Sequence, residues 1–185
     1  VFAYDPATQK MIDSGIDLTA YTSGHGVKVA AGDVDNDGID EIITAPGIDS
    51  DAFVITIWEV DTSSGAGQWS ASEAKEYAIK SRYSYSVSLA AGDINGDGYD
   101  EVLTGAIAYR KMRDEINIYD MNGVNISMFR PYVARNYGVN IAAGDLDNDG
   151  VAEIVAGAGP GAGNKAIVKI FDANGVEKAH FKTLD

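Results

Sequence analysis

An all-β repeat fold is predicted by three features of this 185-residue chain. Apolar residues alternate at period two in short runs. One acidic segment recurs three times. Gly- and Asn-rich turns separate the runs at matched places. Together these predict β-propeller blades of four antiparallel strands, three full blades plus one outer half-blade.

The first twenty residues carry VFAYDPAT (Val1 to Thr8), read as the third strand of an outer half-blade within 1–20. Blade one is expected over 21–80, blade two over 81–132 and blade three over 133–185. Each opens on an alternating inner strand: Val27, Val29, Ala31; Val87, Leu89, Ala91; Val139, Ile141, Ala143. An acidic loop follows, then a β-rich run (Ile42-Ile43-Thr44, Val102-Leu103-Thr104, Ile154-Val155). Next comes an aromatic strand ending in Asp61, Asp120 or Asp172, matched by Asp5 in the half-blade. Asn122-Gly123 and Asn174-Gly175 are expected to be two-residue hairpin turns, since both residue types tolerate positive φ. Fourth strands are placed at Tyr77-Ala78-Ile79 and Ile126 to Phe129. Ser72 to Lys80 has helical composition and is read as an insertion plus the fourth strand. Three and a half blades cannot close a ring alone. Either the chain continues into further blades, or copies associate to finish the ring.

The charge balance narrows the function. Lys and Arg total 14 against 28 Asp and Glu, a formal charge of −14. That sign argues against nucleic acid and anionic membranes, and suits divalent cations or a cationic partner. With 45% apolar residues the chain can bury a core. The absence of Cys excludes disulfides, thiolate zinc sites and Cys nucleophiles. No apolar run is long enough for a membrane-spanning helix, so no membrane insertion is expected. The opening Val1-Phe2-Ala3-Tyr4 has no leader character, so an export signal is expected to be absent from this stretch of chain.

The recurring segments are VAAGDVDNDGIDEIITAPG (from Val29), LAAGDINGDGYDEVLTGAI (from Leu89) and IAAGDLDNDGVAEIVAGAG (from Ile141). Numbering each loop from its first Asp, position 1 is Asp33, Asp93 and Asp145. Position 3 is Asp35, Asn95 and Asp147, and position 5 is Asp37, Asp97 and Asp149. Position 6 is always Gly, which permits a sharp turn. Position 7 varies (Ile39, Tyr99, Val151), as expected if only its backbone oxygen coordinates. Position 8 (Asp40, Asp100, Ala152) is read as no ligand. Position 9 is always Glu (Glu41, Glu101, Glu153), the expected closing carboxylate. Crowded hard oxygens suit Ca²⁺, with Mg²⁺ second because it demands a strict octahedron. About three Ca²⁺ are expected, one per complete repeat. Position 12 is Thr44, Thr104 or Ala156, so these are not EF-hands, whose bidentate acid sits there. The alternative is that Asp, Asn and Gly simply form turns; three matched copies argue against it.

These loops, each preceded by Ala-Ala-Gly, resemble FG-GAP/VCBS repeats, the calcium-loop blades of integrin α-subunit propellers and of many microbial surface proteins. The resemblance implies a propeller with calcium in its loops and a role in adhesion or carbohydrate recognition. It implies an extracellular or cell-surface setting and an unidentified protein or carbohydrate ligand. Its ligand-binding face is not a fixed motif, so no binding residue carries over. The expectation is a calcium-binding scaffold that is not an enzyme. The alternatives are the propeller domain of a polysaccharide-degrading enzyme, or a purely structural assembly unit.

Other features have competing readings. Gly157 to Lys165 is glycine-rich but lacks P-loop spacing, so it is read as a connecting loop. His25 and His180 are the only histidines; packing or a rim position is favoured over zinc at His25. Arg110, Lys111 and Arg113 form a basic spot, read as a solvated loop or as a contact for an acidic partner. Trp69, in the polar stretch Asp61 to Ser72, can stack on sugars or tuck against the sheet. Tyr21, Tyr83, Tyr85, Tyr132 and Tyr137 precede inner strands, either as recognition residues or through β-propensity. Asn125-Ile126-Ser127 is a glycosylation sequon, read as a chance match.

Overall fold

The computed structural model describes residues 2–5, 10–13, 21, 26–47, 54–61, 63, 70–78, 87–107, 114–132, 138–159 and 166–182. All regular structure among these residues is strand, all of it antiparallel. A two-stranded ribbon joins β1 (Phe2–Asp5) to β2 (Lys10–Asp13). Three four-stranded sheets follow, each in simple sequence order. The first contains β3 (Val27–Gly32), β4 (Glu41–Pro46), β5 (Val54–Asp61) and β6 (Ser70–Ala78). The second contains β7 (Val87–Gly92), β8 (Glu101–Ala106), β9 (Ile116–Tyr119) and β10 (Asn125–Phe129). The third contains β11 (Val139–Gly144), β12 (Glu153–Ala158), β13 (Ile167–Phe171) and β14 (Glu177–Lys182). The predicted all-β, four-stranded blade architecture is therefore present, as an arrangement that does not close.

Two local expectations need correction. Ser72 to Ala78 is not an insertion, and Ile79 and Lys80 lie outside the described residues. Residues Ser70–Ala78 form one strand paired along the whole of β5, from Asp61↔Ser70 to Val54↔Ala78. The Asn-Gly turns are also not two-residue loops. Asp120 N donates to Val124 O at 3.0 Å and Gly123 N to Asp120 O at 2.9 Å, which encloses three residues. Only Gly123 takes positive φ (74°), while Asn122 does not. The Asp120 carboxylate selects this form by accepting the N–H groups of Asn122 and Val124. Asp172, Asn174, Gly175 and Val176 repeat it.

The core lies between blades. Val34, Ile43, Ile55, Ile57, Val87 and Val102 fill the space between the first and second sheets. Ile94, Leu103, Ile116, Ile118, Val139 and Ile154 fill that between the second and third. Each such side chain contributes roughly 1.5–3 kcal/mol by leaving water. Inner strand packs on inner strand, β3 against β7 and β7 against β11. Val87 and Val139 are 6% and 1% exposed, whereas their counterpart Val27 is 49% exposed. That face of β3 meets no blade among the described residues.

The Gly of each Ala-Ala-Gly is explained by this packing. A Cβ on Gly32 would lie 2.6 Å from both the Ala91 Cβ and an Asp100 carboxylate oxygen. One on Gly92 would lie 3.1 Å from the Ala143 Cβ and 3.0 Å from that of Ala152. One on Gly144 would meet nothing within 4 Å. Overpacking typically costs about 1–3 kcal/mol. Gly32→Ala should therefore lower the urea midpoint most and Gly92→Ala less, with Gly144→Ala near wild type. Equal losses in the three variants would contradict packing as the cause.

Candidate metal centres

The acidic loops connect the first and second strands of each sheet, as expected. Two left-handed residues shape each one. Position 6 has φ of 89° at Gly38, 91° at Gly98 and 90° at Gly150. Position 4 is also left-handed, at 61° for Asn36 and Asn148 and 77° for Gly96. Asn and Gly are the residue types that tolerate this region, a signal at position 4 that the sequence comparison passed over.

Backbone N–H groups turn the carboxylates inward. The position 1 carboxylates, Asp33, Asp93 and Asp145, each accept the N–H groups of positions 5 and 6, at 2.8–3.1 Å. Position 5 accepts the N–H of position 7: Asp37 from Ile39, Asp97 from Tyr99, Asp149 from Val151. The N–H of Asp37 is shared by Asp33 and Asp35, and that of Asp97 by Asp93 and Asn95, so positions 1 and 3 converge. The side chains of Ile39 and Tyr99 point out to solvent.

Position 9 opens the second strand of each sheet and is buried: Glu41 1%, Glu101 3% and Glu153 4% exposed. In all three, Oε2 accepts the position 2 N–H, at 3.0 Å from Val34, 3.2 Å from Ile94 and 2.9 Å from Leu146. The other oxygen differs. Glu41 Oε1 is buried with no hydrogen-bond partner. Glu101 Oε1 accepts from Asn95 Nδ2 at 2.8 Å. Glu153 Oε1 accepts from Lys178 Nζ at 2.6 Å. Burial pushes the Glu41 carboxyl up to about 7, helped by the charges of Asp35, Glu59 and Asp37 and opposed by the Val34 N–H. Burial likewise raises Glu101 to about 7, with Asp97, Asp93 and Asp100 adding to it against the Ile94 N–H.

Oxygens of Asp33, Asp35 and Glu41 lie within 4.8 Å of one another, as do those of Asp145, Asp147 and Glu153. Asp37 instead groups with Asp35 and Glu59. Asp149 falls outside the group of its own loop. This donor set fits a hard divalent cation. Three carboxylate oxygens converge in the first and third loops, and one buried oxygen in the first lacks any donor, whereas Asp93, Asp97 and Glu101 of the second loop form no such group.

Three features of these centres escaped the sequence. Glu59 is one. The register pairs Ile42 with Trp58, Val102 with Tyr119 and Ile154 with Phe171. Glu59, not Asp61, is thus the counterpart of Asp120 and Asp172, because β5 runs two residues further before its turn. Burial raises the Glu59 carboxyl, and the charges of Asp35 and Asp37 add to that. Lys178 on β14 is the second. Position 8 is the third. Asp100 N donates to Asp33 O at 2.9 Å, and Ala152 N to Asp93 O at 2.7 Å. Asp100 Oδ2 also accepts the Asp33 N–H. The second and third loops are thereby each tied to the loop of the preceding blade. Burial raises the Asp100 carboxyl despite that bond.

The remaining candidates are structural or lie outside the described residues. Tyr21 and Tyr132 act as pegs between strands. Tyr21 Oη donates toward Thr44 O and Val54 O, and Tyr132 Oη toward Ala156 O and Ile167 O, bridging second and third strands. His180 is exposed and paired with Glu177. Asn125 is exposed on β10 and donates to Asn117. His25, Trp69, Tyr83, Tyr85, Arg110, Lys111, Arg113, Tyr137 and 160–165 fall outside the described residues.

Fold and loops together define a class: open-ended propeller blades with an acidic loop between their first two strands. Residues 86–109 match the family model of the FG-GAP repeat. That match spans β7, the acidic loop and β8, and the other two loops repeat its pattern around Asp33 and Asp145.

The raised carboxyls set a pH dependence. Folded Glu41 and Glu101 hold their protons up to about 7, against an ordinary 4.5. Their contribution to stability is full below about 4.5 and is lost as pH rises through about 7. Calcium-free protein should therefore melt at a higher temperature at pH 5.5 than at pH 7.5. A divalent cation held by these carboxylates would reverse the order, since a metal favours the deprotonated ligands. A calcium-free melt that is unchanged or rises over this interval would contradict the burial of these two groups.

Proposed function

We propose that this chain is a calcium-stapled blade array that serves as a non-catalytic binding scaffold, outside the cell or at its surface. The observation that carries the calcium reading is Glu41 Oε1, buried without a donor beside the Asp33 and Asp35 carboxylates. Asp33, Asp35, Asp37, Glu41 and the Ile39 carbonyl would hold the ion in the first loop. Asp93, Asn95, Asp97, Glu101 and the Tyr99 carbonyl would do so in the second. Asp145, Asp147, Asp149, Glu153 and the Val151 carbonyl would do so in the third. The bound ion supplies positive charge to carboxylates that otherwise repel by about 4 kcal/mol per pair at ~4 Å.

The residues of the chain convert that local order into blade stacking. Position 1 offers its carboxylate to its own loop and its carbonyl to position 8 of the next blade. A fixed loop thus presents a fixed acceptor to its neighbour. In a chain without Cys, such staples take the place of disulfides, and calcium modules of extracellular type suit millimolar calcium. The ligand is a protein or carbohydrate on a blade face. Further blades, of this chain or of a second copy, cover the exposed Val27 and Val29.

Chelation should lower the melting temperature by many degrees, because a ligand at 100 times its Kd adds about 2.7 kcal/mol per site. Asp33→Ala should remove most of one site's share, whereas Asp40→Ala should leave calcium affinity near wild type. A melt indifferent to chelator, in protein shown by elemental analysis to be calcium-free, would overturn the calcium reading.

A further inference from the structure

We propose that the three loops form a graded set of cation sites, in which Lys178 acts as a tethered cation inside the third. The proposal rests on the reading of the loops as cation cages. The inner oxygen of the closing glutamate reports what each cage already holds. In the first loop Glu41 Oε1 has no partner although Glu41 is only 1% exposed. In the second loop a neutral amide, Asn95 Nδ2, donates to Glu101 Oε1. In the third loop an ammonium fills the place. Lys178 Nζ lies 2.6 Å from Glu153 Oε1 and 3.3 Å from Asp147 Oδ2. These are two of the three carboxylates that converge there.

The register explains why only one blade does this. Pairing skips one residue in each outer hairpin, between Ala179 and Glu177 opposite Ile170 and Phe171, and between Ser127 and Asn125 opposite Ile118 and Tyr119. The same skip falls between Lys75 and Glu73 opposite Ile57 and Trp58. The bulged residue is Lys178 in the third blade, Ile126 in the second and Ala74 in the first. A bulge re-aims its side chain. Of the three, only lysine carries a charge to deliver.

The first loop departs in the opposite direction. Glu59 reaches it from β5 and joins Asp35 and Asp37. Two groups of three carboxylates then meet at Asp35 in this loop, one with Asp33 and Glu41 and the other with Asp37 and Glu59. Ligand charge count raises calcium affinity. The first site is therefore the tightest. The third is the weakest, because an entering ion must displace an ammonium attached to the same sheet.

Site-resolved calcium titration of ¹⁵N-labelled chain tests this, using the amide resonances of Gly38, Gly98 and Gly150. Gly38 should shift at the lowest calcium and Gly150 at the highest. Lys178→Met should tighten the Gly150 transition about tenfold and leave the other two in place, and it should lower the melting temperature of calcium-free protein. The converse variant, Ile126→Lys at an exposed position, should weaken the Gly98 transition. Glu59→Gln should weaken that of Gly38. If the three glycines respond at equal calcium, and neither lysine variant moves its transition, the grading is wrong while the calcium cages stand. If no glycine responds at millimolar calcium, the calcium reading fails and the proposal falls with it.

Discussion

A buried carboxylate at the first residue of each second strand constrains the rest of the molecule. Glu41 and Glu101 satisfy through Oε2 a loop N–H that would otherwise be buried without a partner, and Glu153 makes the same bond to the more exposed Leu146. An acid placed in such a site cannot simply be left charged, since desolvation disfavours the ionised form. It is protonated, neutralised by an ion, or paired with a donor. The three blades display different answers at the same oxygen: none from the protein, an amide, and an ammonium. The shape of the loop is thus independent of how its charge is balanced.

The loop is also a link between blades. In repeat architectures stability is a sum of unit and nearest-neighbour terms. Here the neighbour term has two parts that sit side by side. One is apolar and close, with Gly32 against Ala91 and Gly92 against Ala143. The other is polar, with Asp33 O and Asp93 O each accepting an N–H from the following loop. Both are adjacent to position 1. A cation held at position 1 would therefore act on the interface as well as on its own blade.

Strand identity and order were legible in the sequence because they depend on local signals: period two, turn residues, and a motif repeated at matched places. The converging loop carboxylates were legible for the same reason. What escaped was set by pairing between distant segments. Nothing local distinguishes Glu59 from any exposed strand acid; its place follows from the two-residue extension of β5, which only the register reveals. Asp61 looked like the partner of Asp120 and Asp172 because all three precede a turn. Lys178 is one lysine among several until the bulge directs it to Glu153. Tyr21 and Tyr132 read as rim aromatics because the carbonyls they bridge come from strands 23 to 35 residues away. The Asn-Gly turns misled for a subtler reason. The Asp before each one supplies side-chain acceptors that favour a three-residue loop over the two-residue form the dipeptide suggests.

The ends of the described stack are unlike each other, and this bears on how such an array is completed. One end presents Val27 and Val29, whose counterparts in the other blades are covered by a neighbour. The other presents Gly144, which retains the space that Gly32 and Gly92 surrender to the next inner strand. These are the two complementary halves of the interface already made twice within the stack. Contacts of that kind are head-to-tail, and they end either in a ring or in an open fibre. Position 1 sits where two blades meet, so a cation held there would act on a junction of the stack as well as on its own loop.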